Sequence, residues 1–173
     1  MRICEETGAR LTIAERPSNQ LGLLAALLRA GVDQGATLLI TDYVQLVQVR
    51  GAEGIYERTS QTSQTIQRVA FDHNVVTLNL SQFNRSTSFN KDAPPSPESL
   101  TGSSALENDS DQVILLDHSA NKRYGLRMET NVLVAKNRHG PVPSIPVIWD
   151  YVTLEIKQRA PYAGARTEDR YGI

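Results

Sequence analysis

The sequence has a single cysteine, Cys4, among its 173 residues, so it cannot form an internal disulfide. It has no run of about 18 apolar residues that would span a bilayer, and the residues after Met1 lack the apolar stretch of a secretory signal. Neither sign of charge dominates, because 18 Lys and Arg residues face 19 Asp and Glu residues for a formal charge of -1. We therefore expect a cytoplasmic protein without a membrane partner, in which any contact with nucleic acid is local.

The sequence also lacks the patterns of two common kinds of catalytic site. His73, His118 and His139 do not have the spacing of metal ligands, and with one cysteine they do not indicate a zinc site. No serine lies in a GxSxG pattern, so nucleophilic catalysis by serine is not indicated. The remaining candidates are acids and amides at strand ends and pairs of basic residues.

A short apolar run leads directly into an acid in the stretch Thr37–Gln48, TLLITDYVQLVQ. Such a run predicts a strand buried on both faces of a parallel sheet. Asp42 would then lie at the carboxyl edge of this strand, where ligands bind in open α/β sheets. Taken alone, an acid in this position either holds Mg²⁺ beside a nucleotide phosphate or caps and neutralises nearby groups.

The length suits one domain with its own core. Before the Thr37 strand, the pattern predicts a short strand at Arg10–Ala14 and a helix that is capped by Ser18 or Asn19 and ended by Gly31. The apolar face of that helix would consist of Leu21, Leu24, Leu27 and Leu28.

After the Thr37 strand, a helix at Ile55–His73 and a strand at Val75–Leu80 complete a parallel βαβ unit. The expected buried face of this second helix is Ile55, Thr59, Thr62, Ile66 and Val69.

The second half of the chain begins with a polar segment between Ser81 and Ser104 that contains three prolines, and a loop of this length is usually functional or disordered. A short helix near Ser104–Asn108 and a strand at Gln112–Leu116 are expected next. Three later segments read as antiparallel edge strands added to the parallel sheet: Met128–Ala135, Ser144–Trp149 and Val152–Ile156. The polar tail from Lys157 onward is expected to be disordered.

Gln82 is the second candidate for a functional residue. It follows the Val75–Leu80 strand, and the carboxyl ends of parallel neighbours meet at one edge of the sheet. Its amide can contact a terminal phosphate or an attacking water. The alternative is an amide that only satisfies the backbone of the loop.

Lys136 and Arg138 are the third candidate. They lie at i and i+2 in the segment LVAKNRHGP, so on a strand end their side chains would point the same way. Such a pair suits a clamp for phosphate oxygens, with Arg binding in a bidentate manner and Lys acting as a point charge. The alternative is an ordinary charged hairpin with His139 and Gly140 in its turn.

Four segments in series resemble, in order and spacing, the carboxy-terminal RecA-like ATPase domain of DnaB-type replicative helicases: ITDYVQLV, LSQFNRS, LTGSSALENDSDQVILLDHS and VLVAKNRHGPV. The resemblance covers about Ala9 to Ile156. It implies an α/β P-loop NTPase core with a largely parallel central sheet, helices on both faces and antiparallel edge strands at the carboxyl end, the amino-terminal part of that core being missing. The domain would span 1–157 and the tail 158–173.

The resemblance also implies roles for individual residues. Asp42, in the DYxQL pattern, matches the Walker B acid that organises Mg²⁺. Gln82 matches the polar sensor that links the γ-phosphate of ATP to the DNA loops. Lys136 and Arg138 match the basic pair that reaches into the ATP site of the neighbouring subunit.

The segment from Asn84 to Ser104 resembles the region that supplies a DNA loop to the central channel of the helicase. The residues of this chain that it implies for single-stranded DNA are Arg85, Lys91, Thr101, Gly102 and Ser104. The segment departs from the pattern of the family, because DLRESG is replaced by SLTGSS at 99–104 and the Arg is lost.

A larger departure is that no GxxxxGK[ST] occurs in the sequence. The backbone cradle for phosphates, its Lys and its Mg²⁺-binding hydroxyl are therefore not among these residues, and neither is the glutamate that activates water in the family. We expect ATP and Mg²⁺ to bind only in a completed site, and the chain alone to be inactive as an ATP hydrolase.

As a function, the resemblance implies part of a hexameric ring that couples ATP hydrolysis to translocation along DNA and to unwinding in replication. Other helicase subunits, DNA and a primase or loader would be its partners. The alternative is a non-catalytic interaction module, or the product of a split gene, that docks on an intact helicase subunit.

Overall fold

The computed structural model describes residues 8–14, 20–82, 103–117, 123–124 and 127–158. The chain divides into two compact units. The first consists of Met1–Asn84 and Leu100–Ser110, and the second of Arg85–Ser99 and Asp111–Ile173.

A parallel βαβ unit forms the centre of the first unit, as the sequence predicted. Strands β1 (Leu38–Thr41) and β2 (Val76–Asn79) pair in parallel, with Leu38 opposite Val76 and Thr41 opposite Asn79. Among the described residues, three helices accompany them: α1 (Leu21–Asp33), α2 (Ile55–His73) and α3 (Ser103–Asp109). A 3₁₀ turn (Val44–Leu46) follows β1. Helix α2 makes the crossover that parallel strands require. It ends where Asn74 adopts a left-handed conformation, with φ at 50°.

The core of this unit lies between the helices and one face of the sheet. Its buried members are Leu28, Leu39, Val44, Ile66, Val69 and Leu106. The predicted buried face of α2 is confirmed at Thr59, Thr62, Ile66 and Val69, whereas Ile55, at the first position of the helix, is 41% exposed. The Thr62 hydroxyl is buried without penalty because it donates to the carbonyl of Arg58 at 2.7 Å.

The predicted strand at Arg10–Ala14 is wrong. This backbone pairs with no strand in the described part of the chain, and Leu11 and Ile13 are 67% and 74% exposed, so their alternation does not bury a face. Arg10 instead donates from Nη2 to the carbonyl of Gln34 at 2.5 Å.

The predicted end of α1 is also wrong, because the helix continues through Gly31 to Asp33. A Cβ atom at Gly31 would lie 3.1 Å from Cδ2 of Leu39, so glycine serves here for the close approach of α1 to β1. The cap residue is Gln20, which makes no side-chain cap hydrogen bond, while Ser18 and Asn19 lie outside the described residues.

Strand β1 is buried on only one face, which corrects the prediction of burial on both. Leu39 and Thr41 face the helices, and the alternate residues face away from them. The residues that face away form an apolar sheet face with Val76 and Leu78 of β2 and with Leu80, which follows β2. Its members are 44 to 65% exposed: Leu38, Ile40, Val76, Leu78 and Leu80. A contiguous exposed surface of this kind favours association.

Helix α3 is anchored to α2 by polar contacts. The buried Ser63 hydroxyl donates to Oδ2 of Asp109 at 2.6 Å, and Nε2 of Gln67 donates to the carbonyl of Asp109 at 3.1 Å. At the other end of α3, Ser104 Oγ donates to Tyr56 Oη at 3.0 Å. The short helix that the sequence predicted is thus present and fixed at both ends.

The second unit is an antiparallel sheet. Its strands are β3 (Gln112–Asp117), β4 (Arg123–Tyr124), β5 (Arg127–Asn137), β6 (Ser144–Asp150) and β7 (Glu155–Gln158). The order is β3-β5-β6-β7, and β4 pairs with β5. The antiparallel strands at the carboxyl end are confirmed, but they form a sheet of their own with β3 rather than an extension of the β1-β2 sheet.

The last strand lies later than the sequence predicted, at Glu155–Gln158 rather than Val152–Ile156. Oδ1 of Asp150 accepts hydrogen bonds from the backbone N–H groups of Val152 at 3.0 Å and Thr153 at 3.3 Å, and so forms a turn there. The prediction of a disordered tail from Lys157 onward is therefore wrong for Lys157 and Gln158, which pair with β6, and residues 159–173 lie outside the described residues. Within β7, Lys157 Nζ lies 2.7 Å from Glu155 Oε2, and this hydrogen bond and charge lower the pKa of Glu155. No helix in the described ranges is long and apolar enough to cross a bilayer.

Substituting Asp109 is expected to destabilise the first unit. Asp109→Ala leaves the buried Ser63 hydroxyl without its acceptor, which costs about 1–3 kcal/mol of unfolding free energy. Asp109→Asn retains an acceptor oxygen and should cost less than half as much. Urea unfolding followed by far-UV circular dichroism is suited to the measurement, because the described helices all belong to this unit. The exposed control Asp72→Ala should stay within about 0.5 kcal/mol of wild type, and an equal loss there would contradict the anchor.

Making the apolar sheet face polar is expected to reduce self-association. The pair Ile40→Thr and Leu78→Thr places β-branched residues at both strand positions while removing apolar surface that is about half exposed. Sedimentation velocity should show fewer oligomers, and the binding of a hydrophobic dye should fall. Phe71→Ser removes an apolar side chain that is 87% exposed but lies on α2. If it lowered association as much as the strand pair, the sheet face would not be the responsible surface.

Candidate functional site

The two parallel strands end side by side. Thr41 and Asn79 are their last residues and lie opposite each other. Asp42 follows Thr41 directly, and its carboxylate is exposed. Because Asp42 follows the last residue of β1, its carboxylate lies at the carboxyl edge of the sheet, the position at which ligands bind in α/β proteins. The peptide bond between Asp42 and Tyr43 is cis.

Backbone hydrogen bonds hold the two segments together beyond the strand ends. The N–H of Leu80 donates to the carbonyl of Thr41 at 3.0 Å, and the N–H of Val44 donates to the carbonyl of Leu80 at 3.0 Å. The chain after Asp42 and the chain before Gln82 consequently remain neighbours where the regular ladder stops. The structure brings both segments to the same edge of the sheet.

The side-chain amide of Gln45 bridges these two segments. Its Nε2 donates to Ser81 Oγ at 2.6 Å and, more weakly, to the Gln82 carbonyl at 3.4 Å. Its Oε1 accepts from the Gln82 N–H at 3.3 Å. Gln45 itself lies in the 3₁₀ turn that follows Asp42. One half-buried side chain therefore connects the turn after the acid to the end of the neighbouring strand.

The residues at this edge suit part of a site for Mg²⁺ and phosphate. Mg²⁺ is usually held by one or two carboxylates together with water and substrate phosphates, and Asp42 offers an exposed carboxylate. The side chain of Gln82 is also exposed, so its amide is accessible to a ligand. Among the described residues, no group of three or more His, Cys, Asp or Glu side chains is arranged as a metal cage.

Lys136 lies in β5 of the second unit, directly after a bulge. The register between β3 and β5 shifts by one residue, since Val113 pairs with Lys136 but Ile114 pairs with Val134, and Ala135 is the extra residue. A bulge bends its strand and redirects the side chains that follow. The direction of Lys136 is therefore set by this local feature as well as by strand alternation.

Arg138 lies just beyond β5, which ends at Asn137, so the alternation assumed for the pair does not apply to it. Its Nη1 lies 3.0 Å from Oδ1 of Asp111, and its N–H donates to the Asp111 carbonyl at 3.0 Å. The two side chains are 46% and 68% exposed. The guanidinium is thus held by an ion pair at the surface.

Asn137 shapes the turn that carries Arg138. Its Nδ2 donates to the Pro141 carbonyl at 3.1 Å, and its Oδ1 accepts from the His139 N–H at 3.3 Å. A Cβ atom at Gly140 would lie 2.8 Å from the same Nδ2. Asn137 and Gly140 are therefore matched partners that fix the position of the turn.

Of the residues implied for DNA, Ser104 alone lies in the described part of the chain. It is exposed on α3 and hydrogen-bonded to Tyr56. The other four lie outside the described residues: Arg85, Lys91, Thr101 and Gly102.

Sequence reasoning missed the residues that organise these sites. In the sequence, Gln45 is one letter of the DYxQL pattern, and nothing near it indicates a contact with Ser81 and Gln82. Asp111 precedes β3 and shows no local sign that it pairs with Arg138. A search for polar residues near the predicted strand ends would have named both, without assigning their partners.

Solved structures share this fold. The ATPase domain of another protein superposes with a TM-score of 0.74 at 22% identity, and the match covers 91% of this chain and 58% of that one. A DnaB-like replicative helicase, solved in a study of its interactions with primase, gives a TM-score of 0.70 at 22% identity, covering 86% of this chain and 38% of its own. These likenesses show a RecA-like ATPase fold.

Curated relatives are replicative helicases. Replicative DNA helicase DnaB of Geobacillus stearothermophilus is 28% identical over 144 residues, which cover 80% of this chain and 32% of that protein. The DnaB of Buchnera aphidicola is 29% identical over 116 residues, or 65% of this chain and 25% of that protein. This chain thus spans a quarter to a third of the length of these relatives.

The family comparison covers all of the described residues. The model of the DnaB-like helicase C terminal domain matches residues 2–158. This range includes β1, β2 and their connecting helix as well as the antiparallel sheet. The chain therefore belongs to the family of DnaB-like helicase C-terminal domains.

Proposed function

We propose that this chain forms part of the ATPase site of a replicative helicase ring, in which ATP hydrolysis drives movement along DNA and unwinding. The observation that carries the proposal is the parallel pairing of β1 with β2, which brings the segments bearing Asp42 and Gln82 to one sheet edge. Both units would belong to one domain that ends with β7, followed by the polar tail.

Asp42 would hold Mg²⁺ at this edge, directly or through water. The carboxylate is exposed and follows a strand whose last residue, Thr41, is fixed by pairing with Asn79. Mg²⁺ neutralises phosphate charge in sites of this class. Asp42 would place a negative charge at a fixed point beside the bound nucleotide.

Gln82 would contact the terminal phosphate or the attacking water. A neutral amide offers both a donor and an acceptor, so it can hold either group without adding charge. Its backbone is attached through Gln45 to the turn after Asp42. A change at the phosphate would therefore be passed to the segment that follows Gln82, where the family places its DNA loop.

Lys136 and Arg138 would act on the nucleotide of the neighbouring subunit. Both lie near the carboxyl end of β5, and Arg138 is on a turn fixed by Asn137. Cations placed close to transferring phosphoryl groups stabilise the charge of the transition state. A contact of this kind joins different surfaces of adjacent subunits and closes into a ring.

The other components of the machine would come from outside these residues. The phosphate cradle that GxxxxGK[ST] provides would be supplied by another polypeptide segment, because no such motif occurs in this sequence. Single-stranded DNA would contact Thr101, Gly102 and Ser104, together with Arg85 and Lys91 from earlier in the chain. A primase or loader would be a further partner.

A second candidate function is that of a docking module for an intact helicase subunit. The apolar sheet face favours it, since five large apolar side chains remain 44 to 65% exposed on β1, β2 and Leu80. In the described part of the chain, β2 also pairs only with β1 and so leaves one edge open. A module of this kind would act through Arg138 on a site that its partner completes.

The chain alone is expected to show no ATP hydrolysis above background, with or without single-stranded DNA. The physical reason is that Asp42 and Gln82 lack a cradle that would hold the phosphates between them. Phosphate release from purified protein measures this directly, and Asp42→Asn should be indistinguishable from wild type. DNA-stimulated turnover that disappears in Asp42→Asn would overturn the expectation.

In a mixture with intact DnaB of Geobacillus stearothermophilus, the chain is expected to change the ATPase rate of that helicase. Arg138 would reach the nucleotide bound by the neighbouring intact subunit, and arginine fingers contribute on the order of 10³ or more to the rate in enzymes that use them. Arg138→Ala should abolish the change, measured as phosphate released per intact subunit across a titration of the chain.

Two variants control this mixing experiment. Arg29→Ala removes an exposed guanidinium from α1 and should leave the effect intact. Asp42→Asn should also leave it intact, because Asp42 would serve the site of its own chain. An effect that persists in Arg138→Ala would show that the finger assignment is wrong.

A further inference from the structure

We propose that Gln45 is a positioning residue that fixes Ser81 and Gln82 to the turn after Asp42, so that the acid and the sensor amide move as one body. The inference deepens the proposed function and rests on it for the roles of Asp42 and Gln82. The contacts themselves are those of one side-chain amide with two consecutive residues: Nε2 to Ser81 Oγ at 2.6 Å, Nε2 to the Gln82 carbonyl at 3.4 Å and the Gln82 N–H to Oε1 at 3.3 Å.

Gln82 needs such a partner because the regular pairing of the strands has ended before it. The last backbone bond from this segment to β1 is from the N–H of Leu80 to Thr41 at 3.0 Å. Beyond Leu80, the described contacts of Ser81 and Gln82 are those with Gln45. The amide therefore continues the connection between the two segments past the end of the sheet.

The chemistry of the contacts selects an amide. Gln82 presents an N–H that needs an acceptor and a carbonyl that needs a donor, and one glutamine side chain supplies both. A carboxylate at position 45 accepts but does not donate, and an apolar side chain does neither. Asparagine carries the same groups on a side chain shorter by one methylene, which does not reach both residues.

Gln45 lies in a turn that connects its hydrogen bonds to Asp42. Residues Val44–Leu46 form a 3₁₀ turn that begins two residues after Asp42, and Val44 fixes it to the core at 1% exposure. A displacement of Asp42 would therefore move the turn, and with it the hydrogen-bonded end of β2. Gln45 would act on the site through Gln82.

Amide hydrogen exchange measured by NMR on the full chain tests the proposal. Gln45→Met retains the volume of the side chain but removes its hydrogen bonds, and we expect exchange at the Gln82 N–H to rise about five- to ten-fold. Gln45→Glu keeps an acceptor oxygen for the N–H of Gln82 but loses both donor contacts, so it should restore only part of that protection. Gln48→Ala, the control in the same segment, removes an exposed glutamine side chain and should change nothing.

The N–H of Val76, bonded to the Thr37 carbonyl at 3.1 Å at the far end of β2, separates a local effect from general loosening. We expect its exchange to stay constant in all variants. Unchanged exchange at Gln82 in Gln45→Met, or an equal rise at Val76, would overturn the proposal.

The mixing experiment with intact DnaB of Geobacillus stearothermophilus tests the proposed function separately. A changed ATPase rate that depends on Arg138 would support the function. If the rate stayed constant while the exchange results held, the contacts of Gln45 would stand and the proposed function would be wrong.

Discussion

The arrangement of the candidate site depends on the parallel pairing of β1 with β2. Parallel neighbours require a crossover, so α2 carries the chain back across the sheet and both strands finish at the same edge. The pairing of Thr41 with Asn79 fixes which residues lie at this edge. Asp42 and Gln82 are distant in sequence, but each comes shortly after the end of one of these strands, so they lie on neighbouring segments. The contacts of Gln45 refine an arrangement that the strand pairing already imposes.

Much of this could be predicted because its causes are local. The spacing of Thr59, Thr62, Ile66 and Val69 shows the buried face of α2, and Asn74 supplies the left-handed residue that ends it. Short apolar runs before Asp42 and Gln82 indicate the two strands that the helix joins. Family resemblance added the order of the motifs, and the match over residues 2–158 confirms the family.

What could not be predicted depends on contacts distant in sequence. Gly31 is read as a helix end from its own properties, but its role is set by the distance to Leu39 in the next element. Burial on one face of β1 depends on what packs there, which the apolar run does not encode. Gln45 and Asp111 are ordinary polar residues until the fold places them beside Gln82 and Arg138.

The ion pair between Asp111 and Arg138 changes the meaning of any anion contact made by that arginine. A guanidinium already paired with a carboxylate exchanges one anion for another when it meets a phosphate, so the free energy of the new contact is the difference between two pairings. Both side chains are partly exposed, and such pairs are weak and screened by salt. Ionic strength therefore determines how readily the arginine changes partners.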